Sequence, residues 1–357
     1  MNKIEAMLAE RQLPELLRFA DGRAVTKENF EARRLEMVDI LCREVYGYAP
    51  PAPDRVTATV LKCKEKEFAG KGRVRELSLS FPTDRGEFAF PVTEILPTGA
   101  GADARCPVFV FINFRPEVPD RYFPTEEILD AGCGVVRIYY NDVAFDGEDH
   151  FAGGIAAMYD RTRYSWGKLR MWAFAMSRVM DYLQTVDYAD LSRVAAVGHS
   201  RLGKTALLAA ATDTRFAMAC ANCSGCAGDA LTRGKAGERV KQIYDRFPYW
   251  FCENYGKYAE KEAQMPFDQH FLLAAIAPRR VALGTAVEDI WADPASQYLS
   301  ACAASPAWTL FDQKGFAHPD RLPVPGDCLD GGMLAYHLRE GTHFLSRADW
   351  HRYLCLL

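Results

Sequence analysis

The sequence predicts an α/β protein: a three-layer sandwich whose central sheet is mainly parallel, with antiparallel strands at its N-terminal end. Three observations carry this. Short β-prone runs, mostly apolar, occupy residues 107–112 (PVFVFI), 134–140 (GVVRIYY), 193–197, 216–220 and 280–283, with helical stretches or long loops between them. Strands buried on both faces have this composition. Ahead of them, residues 55–62, 74–81 and 87–96 alternate apolar with polar side chains between Gly- and Asp-containing turns, the pattern of half-exposed antiparallel strands. Finally, residues 194–207 (VAAVGHSRLGKTAL) run from an apolar strand through glycines into a helix-forming segment.

Taken in order, residues 1–50 read as a helical extension packed on the main body, and residues 51–357 as one main α/β domain. Phe30, Leu35, Val38, Ile40, Leu41 and Val45 recur broadly at helical intervals, and YGYAPP at 46–51 stops that helix. The longest helical segment is expected over 164–184, with further helices over 268–277, 294–303 and 346–356. No internal repeat or low-complexity segment interrupts the chain.

A net charge of −4 spread without a basic patch argues against a nucleic-acid partner. Glu5, Glu10, Arg11 and Glu15 break every apolar run near the N-terminus, and no segment reaches the roughly 18 apolar residues of a membrane span. Eleven cysteines, an odd number, suit buried free thiols in a reducing compartment better than a disulfide framework. The expected address is therefore the cytoplasm, with no membrane partner. Cys220, Cys223 and Cys226 form CxxCxxC, but the next cysteine, Cys252, fits neither ferredoxin spacing, so no metal is expected. No phosphate-loop or dinucleotide motif is present, and no cofactor is expected.

Within GHSRLGK, Ser200 sits at a tight strand-to-helix turn, where a nucleophile elbow lifts a hydroxyl above a parallel sheet. A serine attacks a carbonyl only when a base removes its proton, and in α/β-hydrolases the chain order is Ser, acid, His. His150 precedes the serine, His199 adjoins it, and His270 lies inside an apolar helix. Of the remaining His318, His337, His343 and His351, His343 in the loop REGTHFLS is the preferred base, with Ser346 as the N-cap of the last helix; His318 in KGFAHPD is second.

Six ordered segments then resemble one family: GHSRLGKTAL, WGKLRMWAFAMSRVMDYL, FPYWFCENYGKY, MPFDQHFLLAAIAPRR, EDIWADP and REGTHFLSRADW. Together they are similar to the bacterial glucuronoyl esterases, carbohydrate esterase family fifteen, within the α/β-hydrolase superfamily. The resemblance runs from about Val38 to the end. GxSxG is not met, because Leu202 stands at its second glycine, whereas the family pattern GxSRxGK is met in full. The resemblance implies that Arg201 adds a charged oxyanion donor to the backbone N–H groups, that Lys204 one turn on donates to sugar hydroxyls, and that Trp291 lies near the sugar.

The family's fungal members carry a glutamate after the strand that follows the elbow, and here Cys223 stands at that position. The alternative is the end of the next strand, where Glu288, Asp289 and Asp293 offer carboxylates; Asp289 is chosen for its place at the usual turn, with the other two as rivals. Phe247 stands about where a sugar-binding glutamate is expected. The resulting expectation is a cofactor-free serine ester hydrolase acting on a small-molecule or oligosaccharide ester of a uronic acid, with Ser200, His343, Asp289 and Arg201 as catalytic residues. An acetyl (xylan) esterase or acyltransferase on the same fold, and a non-catalytic carbohydrate-binding relative, are the alternatives.

Overall fold

The structure, a computed structural model, describes residues 2–357. Its strands are β1 (Thr57–Glu67), β2 (Gly72–Thr83), β3 (Gly86–Pro97), β4 (Cys106–Asn113), β5 (Gly134–Tyr139), β6 (Ala189–His199), β7 (Met218–Asn222), β8 (Arg280–Ala286), β9 (Cys328–Leu329) and β10 (Leu334–Arg339). They form one sheet in the order β1-β2-β3-β5-β4-β6-β7-β8-β10-β9. The six from β5 to β10 along that order run parallel. At one side β1, β2 and β3 extend the sheet antiparallel, and β9 closes the other edge antiparallel.

The helices are α1 (Lys3–Glu10), α2 (Phe30–Leu41), α3 (Thr125–Asp130), α4 (Lys168–Leu183), α5 (Arg201–Thr212), α6 (Val240–Arg246), α7 (His270–Ala274), α8 (Pro294–Ala304), α9 (Pro306–Thr309) and α10 (Arg347–Leu356). β4 is buried at every position, and its alternation feeds two cores. Phe109 and Phe111 meet Ile128 and Leu129 of α3 and Trp350 of α10 on one face. Val108, Val110 and Ile112 join Trp172 of α4 and Leu207 of α5 in the core of the other. The three-layer α/β sandwich is thus the observed architecture. By contrast β1, an edge strand carrying Lys62, Lys64 and Lys66, is exposed along nearly its whole length, and its charges discourage pairing with another chain.

Two elements differ from the sequence expectation. The first fifty residues are not helical throughout; between α1 and α2 the chain turns at Gly22 (φ 90°) and bridges Arg18 to Ala24. After α2 the backbone widens into a π-helical turn over Cys42–Tyr46 and stops at Gly47, whose φ is 78° and where a Cβ would lie 2.3 Å from the Ser165 carbonyl oxygen. The second difference is β10, which the sequence did not announce. Its LAYHLR carries polar rings that find partners inside the protein: Tyr336 Oη accepts from Thr285 Oγ1 at 2.9 Å, and His337 Nε2 lies 2.7 Å from Asp349 Oδ1.

Candidate active site

Ser200 lies between β6 and α5 with φ 58° and ψ −126°. A non-glycine residue held there stores on the order of 1–3 kcal/mol, so the surroundings must enforce it. They do so by close approach. A Cβ on Gly198 would sit 2.0 Å from the Leu202 carbonyl oxygen, and one on Gly203 3.1 Å from that of Asn222. The Ser200 N–H also donates to Asn222 O at 2.8 Å, tying the elbow to β7. Leu202 is fully buried in the core, and Gly203, one place later, is the position where the helix nears β7. The first N–H groups of α5 have no carbonyl four residues back, which makes the turn a local site for negative charge.

His343 and Asp289 come from the ends of neighbouring parallel strands. The chain after β8 and the chain after β10 are laced by main-chain bonds, Val287 N–H to Arg339 O and Glu288 N–H to Gly341 O, both 3.0 Å. The lacing brings His343 Nδ1 to 2.7 Å from Asp289 Oδ2. Burial pushes the Asp289 carboxyl up, but the hydrogen bond and charge of His343, with smaller help from the Cys223 thiol, leave it below its ordinary value and hence ionised. Glu288 points to solvent. Asp293 caps α8, accepting from Ser296 N at 3.1 Å and Ser296 Oγ at 2.6 Å. His318 lies against Tyr298 and Phe316, with Nδ1 3.0 Å from Pro319 O, and lines neither cleft at Ser200.

Three neighbours of this pair were given no catalytic role from the sequence. Arg339 bonds Asp349 through Nε at 2.9 Å and donates to the carbonyls of Glu340, Thr342 and Phe344, so one guanidinium holds the whole loop that carries His343. His199, buried, sits with its ring centroid 4.6 Å from that of His343 and its Nδ1 2.6 Å from Asn222 Oδ1. Burial, then the charge of His343, lowers its pKa to about 3, so it is neutral at ordinary pH. Cys223 is buried at φ 49°, and burial followed by the charges of Asp289 and Asp349 pushes its thiol well above the usual range.

Among the described residues, Cys223, Asp289 and His343 bring three possible metal-ligand atoms within 4.8 Å of one another. Burial favours the protonated thiol, and Nδ1 is engaged with the Asp289 carboxylate. Cys220 and Cys226 do not join it, and all eleven cysteines are free.

Arg201, next to the serine, is fixed from behind the chemistry. Its Nη1 pairs with Asp146, a carboxylate with 4% of its side chain exposed, which also accepts from Trp250 Nε1 at 2.7 Å. Its Cζ lies 4.6 Å from the centre of the Trp250 ring, against which Phe247 is stacked at 3.9 Å with planes within 4°. Lys168 Nζ in turn donates to the carbonyls of Phe145 at 2.7 Å and Gly147 at 2.6 Å, the residues on either side of Asp146. Ion pairs spanning 55 positions leave no local pattern, and Asp146 is one of several acids in its loop.

Two clefts meet at Ser200, Arg201 and His343. One, of about 280 Å³, is lined by Lys204, Glu238, Phe247, Trp250 and Trp291. Lys204 is buried and its Nζ donates to Ser224 O, while Trp291 is half exposed on the wall. The other, of about 480 Å³, is lined by Phe114, Arg115, Glu117, Arg121, Tyr122 and His199.

Residues 84–312 match the model of a family described as glucuronyl esterase of fungi. A carbohydrate esterase, MZ0003, from an unknown prokaryotic organism is 33% identical over 99% of this chain and 90% of its own length. A 4-O-methyl-glucuronoyl methylesterase of Wolfiporia cocos is 28% identical over 85% of this chain and 72% of its own. Among solved structures, a glucuronoyl esterase from Solibacter usitatus superposes with a TM-score of 0.89 at 32% identity, covering 97% of each chain.

Proposed function

The chain belongs to the glucuronoyl esterase family, and on that premise we propose that it hydrolyses the ester of a uronic acid through an acyl-enzyme on Ser200. The observation that carries the mechanism is the 2.7 Å contact between His343 Nδ1 and Asp289 Oδ2 beside a serine on a strained elbow. With Nδ1 bound to the carboxylate, Nε2 is the nitrogen free to take the Ser200 proton as its Oγ attacks the ester carbonyl. Asp289 holds the tautomer and stabilises the imidazolium. The oxyanion of the tetrahedral intermediate is met by the N–H groups at the start of α5 and by Arg201; one such donor is worth about 3–4 kcal/mol of barrier. His343 then protonates the departing alcohol, and a water activated by the same imidazole releases the sugar acid.

The cleft with Lys204, Glu238 and Trp291 suits the sugar, since it offers charged hydrogen-bonding groups and an aromatic face for a pyranose ring. Phe247 in that wall, in place of a glutamate, loosens the grip on uronate hydroxyls and leaves room for acetyl esters as secondary substrates. The test is turnover of benzyl glucuronate and of 4-nitrophenyl acetate by the wild type and by Ser200→Ala. The expected result is hydrolysis of the glucuronate ester that Ser200→Ala lowers by at least about 10³-fold. Equal rates from both proteins on both substrates would overturn the esterase, and activity on the acetate alone would favour the acetyl esterase.

A further inference from the structure

An ester has two arms, and if the sugar lies beside Lys204 and Trp291, the alcohol leaves through the other cleft at Ser200. The floor there is aromatic: Phe114 and Tyr122 stand with ring centroids 6.2 Å apart, and Tyr122 continues onto Phe344 at 4.8 Å. The rim is cationic. Arg115 and Arg121 line the cleft, and among the described residues neither lies in an ion pair. Arg121 stacks its guanidinium 4.9 Å from the centre of the Tyr122 ring.

The nearby acids offset only part of this charge. Asp146 answers Arg201, and Asp120 lies outside the cleft lining, accepting from Asn113 Nδ2 at 2.5 Å and from the Tyr122 N–H at 2.6 Å. Glu117, on the exposed rim, is the one carboxylate lining the cleft against Arg115 and Arg121. At about 480 Å³ the space lies within the range of about 300–1,000 Å³ usual for ligand pockets.

We infer that this cleft is the leaving-alcohol subsite and that it selects an aromatic alcohol carrying a carboxylate, the ring on Phe114 and Tyr122 and the anion between Arg115 and Arg121. The inference rests on the reading of Ser200 as the nucleophile with the sugar on the Lys204 side. Planar guanidinium groups recognise carboxylates through paired N–H donors, and a partly screened site adds selectivity by charge.

The experiment compares three glucuronate esters that share the acid and differ in the alcohol: benzyl, 4-carboxybenzyl and 4-carbamoylbenzyl. The carboxamide is nearly isosteric with the carboxylate and more electron-withdrawing, so leaving-group chemistry works against the expected order. We expect the wild type to show kcat/KM about tenfold higher for the carboxylate than for the carboxamide at low salt, with the ratio shrinking in 0.5 M NaCl. In Arg115→Gln and Arg121→Gln the ratio should fall toward one, and Arg115→Lys should restore part of it. Thermal melting of the variants reports that they fold. Equal constants for carboxylate and carboxamide, or a ratio unmoved in both glutamine variants, would overturn the inference and leave the esterase standing; hydrolysis of none of the three esters would overturn the esterase and the inference with it.

Discussion

His343 Nδ1 and Asp289 Oδ2 lie 2.7 Å apart across 54 positions of sequence. Replacing the carboxylate by an amide leaves the shape and removes the charge that fixes the imidazole, so Asp289→Asn should lower kcat by about 10³–10⁴-fold. Glu288→Gln should stay within about twofold. Asp293→Asn should cost stability of about 1 kcal/mol through the lost α8 cap, with a lower Tm and little change in kcat. Steady-state kinetics on benzyl glucuronate beside thermal melting separates the three, and a large kcat loss confined to Glu288→Gln or Asp293→Asn would reassign the acid.

Arg201 and Asp146 act as one unit. Arg201→Gln should lower kcat by about 10²–10³-fold with a smaller effect on KM, because the charge it answers exists only in the transition state. Asp146→Asn leaves the guanidinium present but unanchored, and should lower kcat by about tenfold. If Asp146→Asn changes KM alone, the carboxylate serves binding and not the oxyanion.

Arg339 carries the His343 loop by its bonds to Asp349 and to three carbonyls. Arg339→Gln should reduce kcat by about tenfold at nearly constant KM, and Arg339→Lys should recover only part of it, since an ammonium cannot reach four acceptors in a plane. Loss of Tm without change in kcat would make the residue structural alone.

Cys223 is buried and protonated beside the acid, whereas Cys63 and Cys355 are exposed. An aromatic disulfide reagent should therefore titrate Cys63 and Cys355 in the native enzyme, Cys328 more slowly, and all eleven after denaturation. Activity should survive the native reaction. Inactivation that Cys223→Ser prevents would show the thiol open to solvent.

Asp349 gives the pH dependence of stability its sign. Burial pushes its carboxyl up, but the hydrogen bond and charge of His337, the charge of Arg339 and the Ser346 N–H lower it below 3.8. A depressed carboxyl contributes stability above its unfolded pKa and loses it as pH falls through the folded one. Tm of the wild type should therefore drop more steeply below about pH 4 than that of Asp349→Asn. Parallel curves would remove Asp349 from the account.

The fold was legible where burial on both faces leaves no choice of residue, as in CPVFVFIN of β4, and at the elbow, where Gly198 and Gly203 are forced by contacts under 3.2 Å. β10 was not legible, because Tyr336 and His337 satisfy their polar atoms only in the assembled interior. At the site, Ser200 and His343 stand out by local context. Asp146, Lys168 and Arg339 do not, since each acts through partners that the fold supplies and each is chemically ordinary in its own stretch. Asp289 falls between: the turn after β8 narrowed the acid to three residues, and the way that turn sits beside the His343 loop separates them.

The main-chain lacing of the chain after β8 to the chain after β10 also bears on descent. Asp289 and His343 are registered by two adjacent strands and a pair of backbone bonds, while the excursion between them, which includes α8, α9 and β9, is tied to β10 at Pro294 O with Tyr336 Oη and at Asp327 with Leu338. Outside those ties the excursion can drift, so long as both strands return to their places. Insertions there would change the outer surface while the spacing of Asp289 and His343 stayed constant, and because Cys223 at the end of β7 and Asp289 at the end of β8 both lie within 4.8 Å of the imidazole, a carboxylate at either address reaches it without the ring having to move.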